Sequence, residues 1–585
     1  MLSSDPVKKS DCPESQSSRP RGAAYRGWRA IIAAKNHYLL PETNILLFRH
    51  VTRLQVMILA VGLLYLIIFS LIGIVYKTWV TPVEHHSNLH NTRTGLGGWS
   101  DRIGVLAYAL TPLSIGLATR ESIPSLLTGI PYQNFMFLHR WTGRVIFAQS
   151  FLHTLGWTVI EGRLYQPQPS YFTSAIAQKY MIFGIVAMTF LTFLYVFSTG
   201  WAICLTGYEF FVKSHYVVAW LFVGCCWGHW TLLKCWMIPS LILLALDLVC
   251  QYIRVLLIHL KFKRDPFSGS GKGVGFQCAR AAIQSFVDSD GVTVVTLKFK
   301  HHHGGWKLGQ HFYLCFPELS IWQSHPFTPS LPPIPGSAEQ EHLFIVRCLG
   351  GESARLGKLA TSQSSSPASS GIEICFENNI NKEAKELSTS ETLPSPITTI
   401  KTTPVILIGP YGISSLPPPS LLSPNLLTIA GGTGISFTLP FILSTLQIQA
   451  QTPQPPLGLI WIIRRLSNIS WITPSLISIL PHLASTQTCP LYFRIIVTRD
   501  LPSSPSLSYI PEPLTQYITY THNQHPSILF LLDEFSALIT SNSISTQVLG
   551  SGPVGMASDV RDAVARRNNA RKGDCWGCYW DGREF

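Results

Sequence analysis

Two stretches decide how the rest of the chain is read: FLHRWTGRVIFAQSFLHTLGW (137–157) and SHYVVAWLFVGCCWGH (214–229). Each is an apolar run with a histidine near either end, His139 and His153 in the first, His215 and His229 in the second. Both separations are fourteen residues. At about 100° per residue, fourteen residues fall roughly 40° short of four turns, so each pair shares one helix face. At about 1.5 Å per residue the two levels stand about 21 Å apart. A lone histidine in an apolar run is more often a packing residue than a ligand. The same spacing repeated on two runs of the same direction is a different signal. It predicts two facing imidazole pairs, one near each leaflet of a bilayer. Neutral imidazole is a good axial ligand for haem iron, and two of them leave the iron no open position. Two b-type haems (haem b), iron held by His139 with His215 and by His153 with His229, would then form a path across the membrane.

The surroundings agree with a membrane setting. Charged residues make up only 13% of the 585, and mean hydropathy is +0.24. Six apolar runs lie in the first 260 residues, the clearest being VMILAVGLLYLIIFSLIGIV (56–75). It is long enough to cross a hydrocarbon core of roughly 30 Å. The others are read at 103–119, 135–157, 181–199, 210–230 and 238–258. The net charge of +13 invites a nucleic-acid partner. Much of that excess, however, flanks apolar runs, where it sets topology. Lys8, Lys9, Arg19, Arg21, Arg26, Arg29, Lys35 and Arg49 precede the first run, and Lys261, Lys263 and Arg264 follow the sixth. Both ends therefore read as cytosolic, the lipid bilayer is the expected partner, and no nucleic acid is expected. The thirteen cysteines are scattered and suggest no disulfide framework. The polar start lacks the apolar core of a cleaved signal. His85, His86 and His90 read as solvated loop residues, and the run His301–His303 as a surface turn. The loop holding Lys77, Arg93 and Arg102 reads as mildly basic, suited to steering anions.

After residue 264 short β-like runs begin, such as VTVVTLKF (292–299) and HFYLCF (311–316). From 404 apolar runs alternate with helix-like stretches. A small β-barrel followed by a doubly wound α/β domain fits that change. Residues 360–402, rich in Ser, Thr and Pro, read as a flexible insertion, and 414–425 as a Pro-rich loop.

Ordered motifs then carry a resemblance. HRWTGR (139–144) and YEFFVKSH (208–215) are followed by GQHFYL (309–314), HPFT (325–328), GPYG (409–412), GGTGIS (431–436) and GSGPVGM (550–556). This series resembles the ferric reductase and NADPH oxidase superfamily, and more closely the fungal ferric-chelate reductases. The resemblance implies that His325, Pro326, Phe327 and Thr328 hold FAD, with Phe327 on the ring system and Thr328 at its hydride-accepting edge. GGTGIS follows an apolar strand and opens a helix, a turn that lets backbone N–H groups approach a pyrophosphate. Gly431, Gly432, Thr433 and Gly434, with Gly552 and Pro553, are thus candidates for NADPH. Arg499 is the candidate for its 2′-phosphate, with Arg464 and Arg465 as rivals. Ser551 departs from the Cys that many relatives carry there. Phe585 or Trp580 is the candidate aromatic to shield the flavin, and Cys575 and Cys578 read as a plain tail.

The expected fold is multi-domain. A cytosolic tail (1–52) precedes a six-helix membrane bundle with two bis-His haems (53–260). A β-barrel FAD-binding domain (270–412) and an α/β NADPH-binding domain (420–585), ferredoxin reductase-like, follow. The expected function is electron transfer from cytosolic NADPH through FAD and haem to Fe(III) chelates or siderophores outside, Cu(II) included. The membrane is expected to be the plasma membrane or the vacuolar one. The rival is an NADPH oxidase that makes superoxide. The orientation yields a prediction: Asn468, in the sequon Asn468-Ile469-Ser470, stays unglycosylated. A glycan on Asn468, detected by mass spectrometry of the purified protein, would reverse the topology.

Overall fold

The computed structural model describes residues 23–43, 48, 50–84, 86–263, 273–287, 291–361, 401–412, 425–449, 456–478, 480–481, 491–499, 515–522, 525–539, 545–571 and 574–582. The expected insertion, apart from its ends, the Pro-rich loop before Asn425, His85, Arg264 and Phe585 lie outside them.

Helix α1 (Ala23–Leu39) precedes six long helices: α2 (Arg53–Leu71), α3 (Gly95–Ala118), α4 (Met136–Val159), α5 (Lys179–Phe197), α6 (Tyr208–His229) and α7 (Lys234–His259). In lipid a helix is favoured because it satisfies its own backbone polar groups. Helix α2 starts at a capping box, in which Thr52 accepts from the Gln55 amide and the Gln55 side chain accepts from the Thr52 amide. Helices α2, α5, α6 and α7 are long and apolar enough to span a membrane. In α3 and α4, Asp101, Arg102, Arg140 and Arg144 dilute the apolar run. Large apolar side chains such as Val61, Leu64 and Ile67 stay more than half exposed. Such a surface suits lipid rather than water, and the chain is membrane-embedded. Helices pack as α3 on α4 and α5 on α6, with α7 against α3 and α6. At the far end a hairpin, β1 (Trp79–Val83) with β2 (His86–Arg93), carries exposed His86 and His90. Two of the loop's three cations are bound internally. Arg93 donates to the Tyr165 hydroxyl, and Arg102 donates to the carbonyls of Phe69 and Ile72.

Helix α7 runs straight into the next layer. Buried His259 accepts the Leu407 amide at Nε2 (2.9 Å), and its Nδ1 lies 2.8 Å from the Gln277 carbonyl. Strands β3 (Leu260–Lys263) and β4 (Gly273–Phe276) form a small ladder. Six antiparallel strands follow: β5 (Ala279–Val287), β6 (Thr293–His302), β7 (His311–Cys315), β8 (His325–Phe327), β9 (Glu339–Cys348) and β10 (Lys401–Tyr411). They lie in the order β8-β7-β10-β5-β6-β9 around Leu297, Phe312, Leu314, Phe344 and Leu407. Past β8, the Ser330 amide donates to the Leu343 carbonyl and ties that end back to β9. Helix α8 (Gly351–Thr361) follows β9.

The last layer is a parallel sheet of β11 (Asn425–Gly431), β12 (Leu457–Ile463), β13 (Leu491–Val497), β14 (Thr519–His522), β15 (Thr546–Ser551) and β16 (Trp576–Asp581), in the order β14-β13-β12-β11-β15-β16. Helices α9 (Ile435–Gln449), α10 (Ile528–Ala537) and α11 (Val554–Arg567) pack on it. The strands are apolar because both faces are covered.

Four expectations change. The N-terminal segment is more than a tail: Asn36 donates to the Trp576 carbonyl, and Arg561 pairs with Glu42 at 2.8 Å, so α1 docks on the parallel sheet's domain. Cys575 and Cys578 belong to the edge of that sheet, and burial pushes the Cys578 thiol up to about 11. Trp580 packs under Gly550, whose added Cβ would meet it at 2.3 Å, and is not among the residues lining the cavity described below. Finally, His301–His303 is no surface turn. Strand alternation turns His301 inward, and His303 Nε2 meets His342 Nε2 at 2.7 Å. His342 is fully buried and lies flat between Phe344 and Trp306.

Burial, then the neighbouring His303 and His301, hold the His342 imidazole well below its usual range. Above the unfolded histidine value of about 6.5 both states are neutral and stability is full. As pH falls below it, the unfolded chain takes a proton that the folded one refuses. Stability then falls by at most about 1.4 kcal/mol per pH unit. Hydrogen exchange of β6 and β9 should therefore report weaker protection at pH 5 than at pH 7.5, and His342→Gln should flatten that slope.

Candidate functional site

The four histidines sit where α4 and α6 run parallel. The His139 and His215 rings lie 6.3 Å apart, centroid to centroid, at 76°, and the His153 and His229 rings 6.3 Å apart at 84°. Each ring is oriented from behind by a neighbouring helix. His139 Nδ1 lies 2.8 Å from the Ser114 carbonyl and His153 Nδ1 2.7 Å from the Ser100 carbonyl, both on α3. His229 Nδ1 lies 2.8 Å from the Tyr180 carbonyl on α5. His215 Nδ1 lies 3.2 Å from Ser198 Oγ, whose own proton goes to the Leu194 carbonyl, so the hydroxyl accepts. All four rings thus carry their proton on Nδ1, and each Nε2 lone pair is left for a partner. Among the described residues no hydrogen bond engages any of these Nε2 atoms.

The spacing tests the fit to a metal. A metal–imidazole bond of roughly 2.0 Å plus a ring radius of roughly 1.1 Å, doubled, comes to about 6.2 Å, close to the observed 6.3 Å. One ion between facing Nε2 atoms fits that gap. Among the described residues no group of three or more His, Cys, Asp or Glu side chains could hold a metal. The sequence reading missed the glycines that allow the approach. A Cβ on Gly104 would come within 2.7 Å of His153 Nδ1, and one on Gly184 within 2.6 Å of His229 Nδ1.

The second part of the site is a cavity of about 680 Å³ between the antiparallel and parallel sheets. It opens at the C-terminal ends of β11 and β15, where the strand order reverses, the usual binding crevice of an open parallel sheet. Phe327, Thr328, Gly431, Gly432, Thr433, Gly434, Gly552 and Pro553 line it. Two glycine turns meet back to back there. A Cβ on Gly434 would lie 2.2 Å from the Ser551 carbonyl oxygen, and Gly432 takes φ +54° while its carbonyl accepts from Trp461 Nε1 at 2.9 Å. Side chains at these positions would fill the cradle, so the residues fit a pyrophosphate close to bare backbone.

Not every candidate lines it. His325 and Pro326 are not among its lining residues: Pro326 pairs with Tyr313, and His325 Nε2 lies 2.9 Å from buried Glu352 without hydrogen-bond alignment. Arg464 lines the cavity, whereas Arg499 stands one strand over, its amide donating to the Arg464 carbonyl. Arg347, which the sequence reading did not single out, lines the cavity too. Burial, then repulsion from Arg464, lowers its pKa. Among the described residues neither guanidinium has a carboxylate partner. Two such cations facing one cavity call for an anion.

A helical bundle carrying paired histidines is thus followed by an antiparallel sheet and a parallel sheet that share one nucleotide-sized cavity. Residues 103–226 match the ferric reductase like transmembrane component, 278–415 an FAD-binding domain and 423–565 the ferric reductase NAD binding domain. Ferric reductase transmembrane component 6 of Saccharomyces cerevisiae is 24% identical over 80% of this chain and 58% of its own length. Component 1 of Schizosaccharomyces pombe is 25% identical over 64% and 62%, respectively. Ferric/cupric reductase transmembrane component 2 of Saccharomyces cerevisiae is 27% identical over 39% and 29%. Three consecutive parts of the chain are thus similar to the membrane, flavin and nicotinamide parts of fungal ferric reductases. The chain spans less than two thirds of the length of each of these relatives.

The abutting turns yield a prediction. Gly434→Ala should weaken NADPH binding on the order of tenfold or more, since its Cβ and the Ser551 carbonyl cannot coexist. Titrating nucleotide-dependent flavin reduction checks this, with an unchanged membrane-helix signal as the control.

Proposed function

We propose that this chain is a transmembrane ferric-chelate reductase with one b-type haem at each histidine pair. On this reading all six long helices span the bilayer, both termini are cytosolic, and the membrane is the plasma membrane or the vacuolar one. The observation that carries it is the tautomer set: four imidazoles, each held by Nδ1, face each other in two pairs at the spacing of a shared metal. The printed names of the relatives, ferric and ferric/cupric reductases, support Fe(III) and Cu(II) as acceptors, and the reading adds that the Fe(III) arrives as chelates or siderophores.

Bound flavin would supply the change from two-electron to one-electron chemistry. The balance is NADPH + 2 Fe(III) → NADP⁺ + H⁺ + 2 Fe(II). The protein's part is position. Gly431 to Gly434 and Gly552 bring backbone close to the pyrophosphate. Arg464, with Arg499 behind it and Arg347 opposite, neutralises phosphate. Phe327 and Thr328 form the wall against which the flavin and nicotinamide rings meet. His325 and Pro326 support that wall through β7 and α8. At the histidine pairs, α3 and α5 fix ring orientation, so His139 with His215 and His153 with His229 would hold haem iron, which would supply one-electron transfer.

Membranes carrying the protein should bind two haems per chain. Gly184→Ala, which pushes on His229, should lose about one of them, as should His229→Ala. Intact cells should reduce an Fe(III) chelate with NADPH-derived electrons faster than they release superoxide. Superoxide as the main product, with chelate reduced only through it, would make the chain an oxidase instead.

A further inference from the structure

The six helices and the flavin-binding sheet meet at one small junction. Helix α3 ends at Ala118, and the next residues carry Arg120 and Glu121. Both of their amides donate to Asp247 Oδ1, at 2.8 and 3.1 Å, so this segment is pinned to α7. Seven residues on, on the same face of α7, Arg254 grips Glu121 with two parallel bonds, Nε to Oε1 and Nη2 to Oε2, the latter 2.7 Å. Its third arm, Nη1, reaches the carbonyl of Pro410 at 3.5 Å, and its plane lies 5.3 Å from the Tyr411 ring. Those residues belong to β10, in the motif GPYG. Arg120 sits 4.0 Å over the ring of Tyr313 on β7, and the Tyr313 hydroxyl meets that of Tyr132, just before α4, at 3.0 Å. His139 lies seven residues further along the chain. The junction therefore joins the strands that back the nucleotide cavity to the end of the bundle that holds the His139–His215 pair.

We propose that Arg254 is a positioning residue. With Glu121 it clamps the flavin-binding sheet onto the His139–His215 end of the bundle and so fixes the distance between the flavin and the nearer histidine pair. This rests on the functional reading above. The pair itself is half open to solvent, with side-chain exposures of 36% and 19%. An exposed ion pair adds little stability. A bidentate fork adds direction, and the third contact of Arg254 uses that direction across a domain boundary. Electron transfer through protein falls off steeply with distance, so a boundary contact that the fork orients, beside Arg120 on Tyr313, Tyr132 on Tyr313 and His259 on Leu407, bears on that step more than on folding. Each transfer moves one electron onto one ferric iron, makes no bond, and leaves the hydride step in the distant cavity untouched.

The test uses the full chain in membranes with its cofactors, as wild type, Arg254→Gln, Glu121→Gln and the double variant. NADPH-driven haem reduction is followed anaerobically by absorbance, beside NADPH-driven reduction of a soluble dye that takes electrons from flavin. Hydrogen exchange is read at residues 120–126 and 405–411. Each single variant should slow haem reduction about tenfold or more, and the double should be no slower than the slower single, because the two act as one unit. Dye reduction should stay within about twofold and exchange at both segments should rise about tenfold. Haem reduction at the wild-type rate, dye reduction falling in step with it, or unchanged exchange would each overturn the clamp. A wild type with no dithionite-reducible haem overturns the functional reading instead, and the exchange measurement still decides whether the clamp exists.

Discussion

Everything in the membrane half depends on holding four imidazole rings edge-on to their partners without spending the nitrogen that matters. The solution is a second layer of helices. The carbonyls of Ser100 and Ser114, fourteen residues apart on α3, match the fourteen-residue spacing of His153 and His139 on α4. The two helices are therefore in register over four turns. On α5 the Tyr180 carbonyl and the Ser198 hydroxyl do the same for α6. A carbonyl in a continuous helix normally accepts its own i+4 amide, so a second donor reaches it only at close approach. That is why Gly104 and Gly184 stand four residues beyond Ser100 and Tyr180: the space a Cβ would occupy there is filled by the imidazole. Backbone proximity, ring orientation and ligand chemistry are one constraint.

The same logic governs the nucleotide end. Where the order of the parallel sheet reverses between β11 and β15, two strand-to-helix turns must lie against each other, and each needs its backbone exposed to a ligand. Gly431 and Gly434 against Ser551 and Gly552 meet this need by removing side chains from the contact. Arg347 and Arg464 then face the crevice with no carboxylate partner among the described residues. Burial and mutual repulsion disfavour two neighbouring guanidinium ions. A bound diphosphate or phosphate reverses the sign of that interaction, so the site is less comfortable empty than filled.

How much of this was legible in the sequence follows from the range of the forces involved. Helical period alone put His139 with His153, and His215 with His229, on single faces, because 3.6 residues per turn is a local property. The partners of those rings lie on other helices and have no periodic signature. Glycine at 104 or 184 looks like any other membrane glycine until the neighbouring helix is placed. His301–His303 was misread because three polar residues look like a turn. In a strand, alternation decides, and the inward members joined an aromatic stack where His342 supplied the hydrogen bond. Trp580 and the two tail cysteines were misread for a related reason. Parallel pairing of β16 to β15 is long-range, and no local feature of the last ten residues reports it. Choosing among Arg464, Arg465 and Arg499 needed register as well: adjacent strand ends place all three together, and only the cavity wall separates them.

The N-terminal helix shows what charge counting leaves out. Its basic residues were legible as a topological signal, and they sit on the side of the bundle where the parallel sheet also lies. Yet α1 also binds that sheet's domain through Asn36, His37 and the buried Glu42–Arg561 pair. Residues before the first membrane helix and residues near the last strand are thus held together, although more than five hundred positions separate them. A buried ion pair contributes little net stability once desolvation is counted, but removing one partner strands the other at high cost. The arrangement therefore favours a single docked state over a continuum of loosely tethered ones. Under the proposed function, in which electrons pass repeatedly between the two halves, a docked state that recurs with the same geometry is worth more than a tight one.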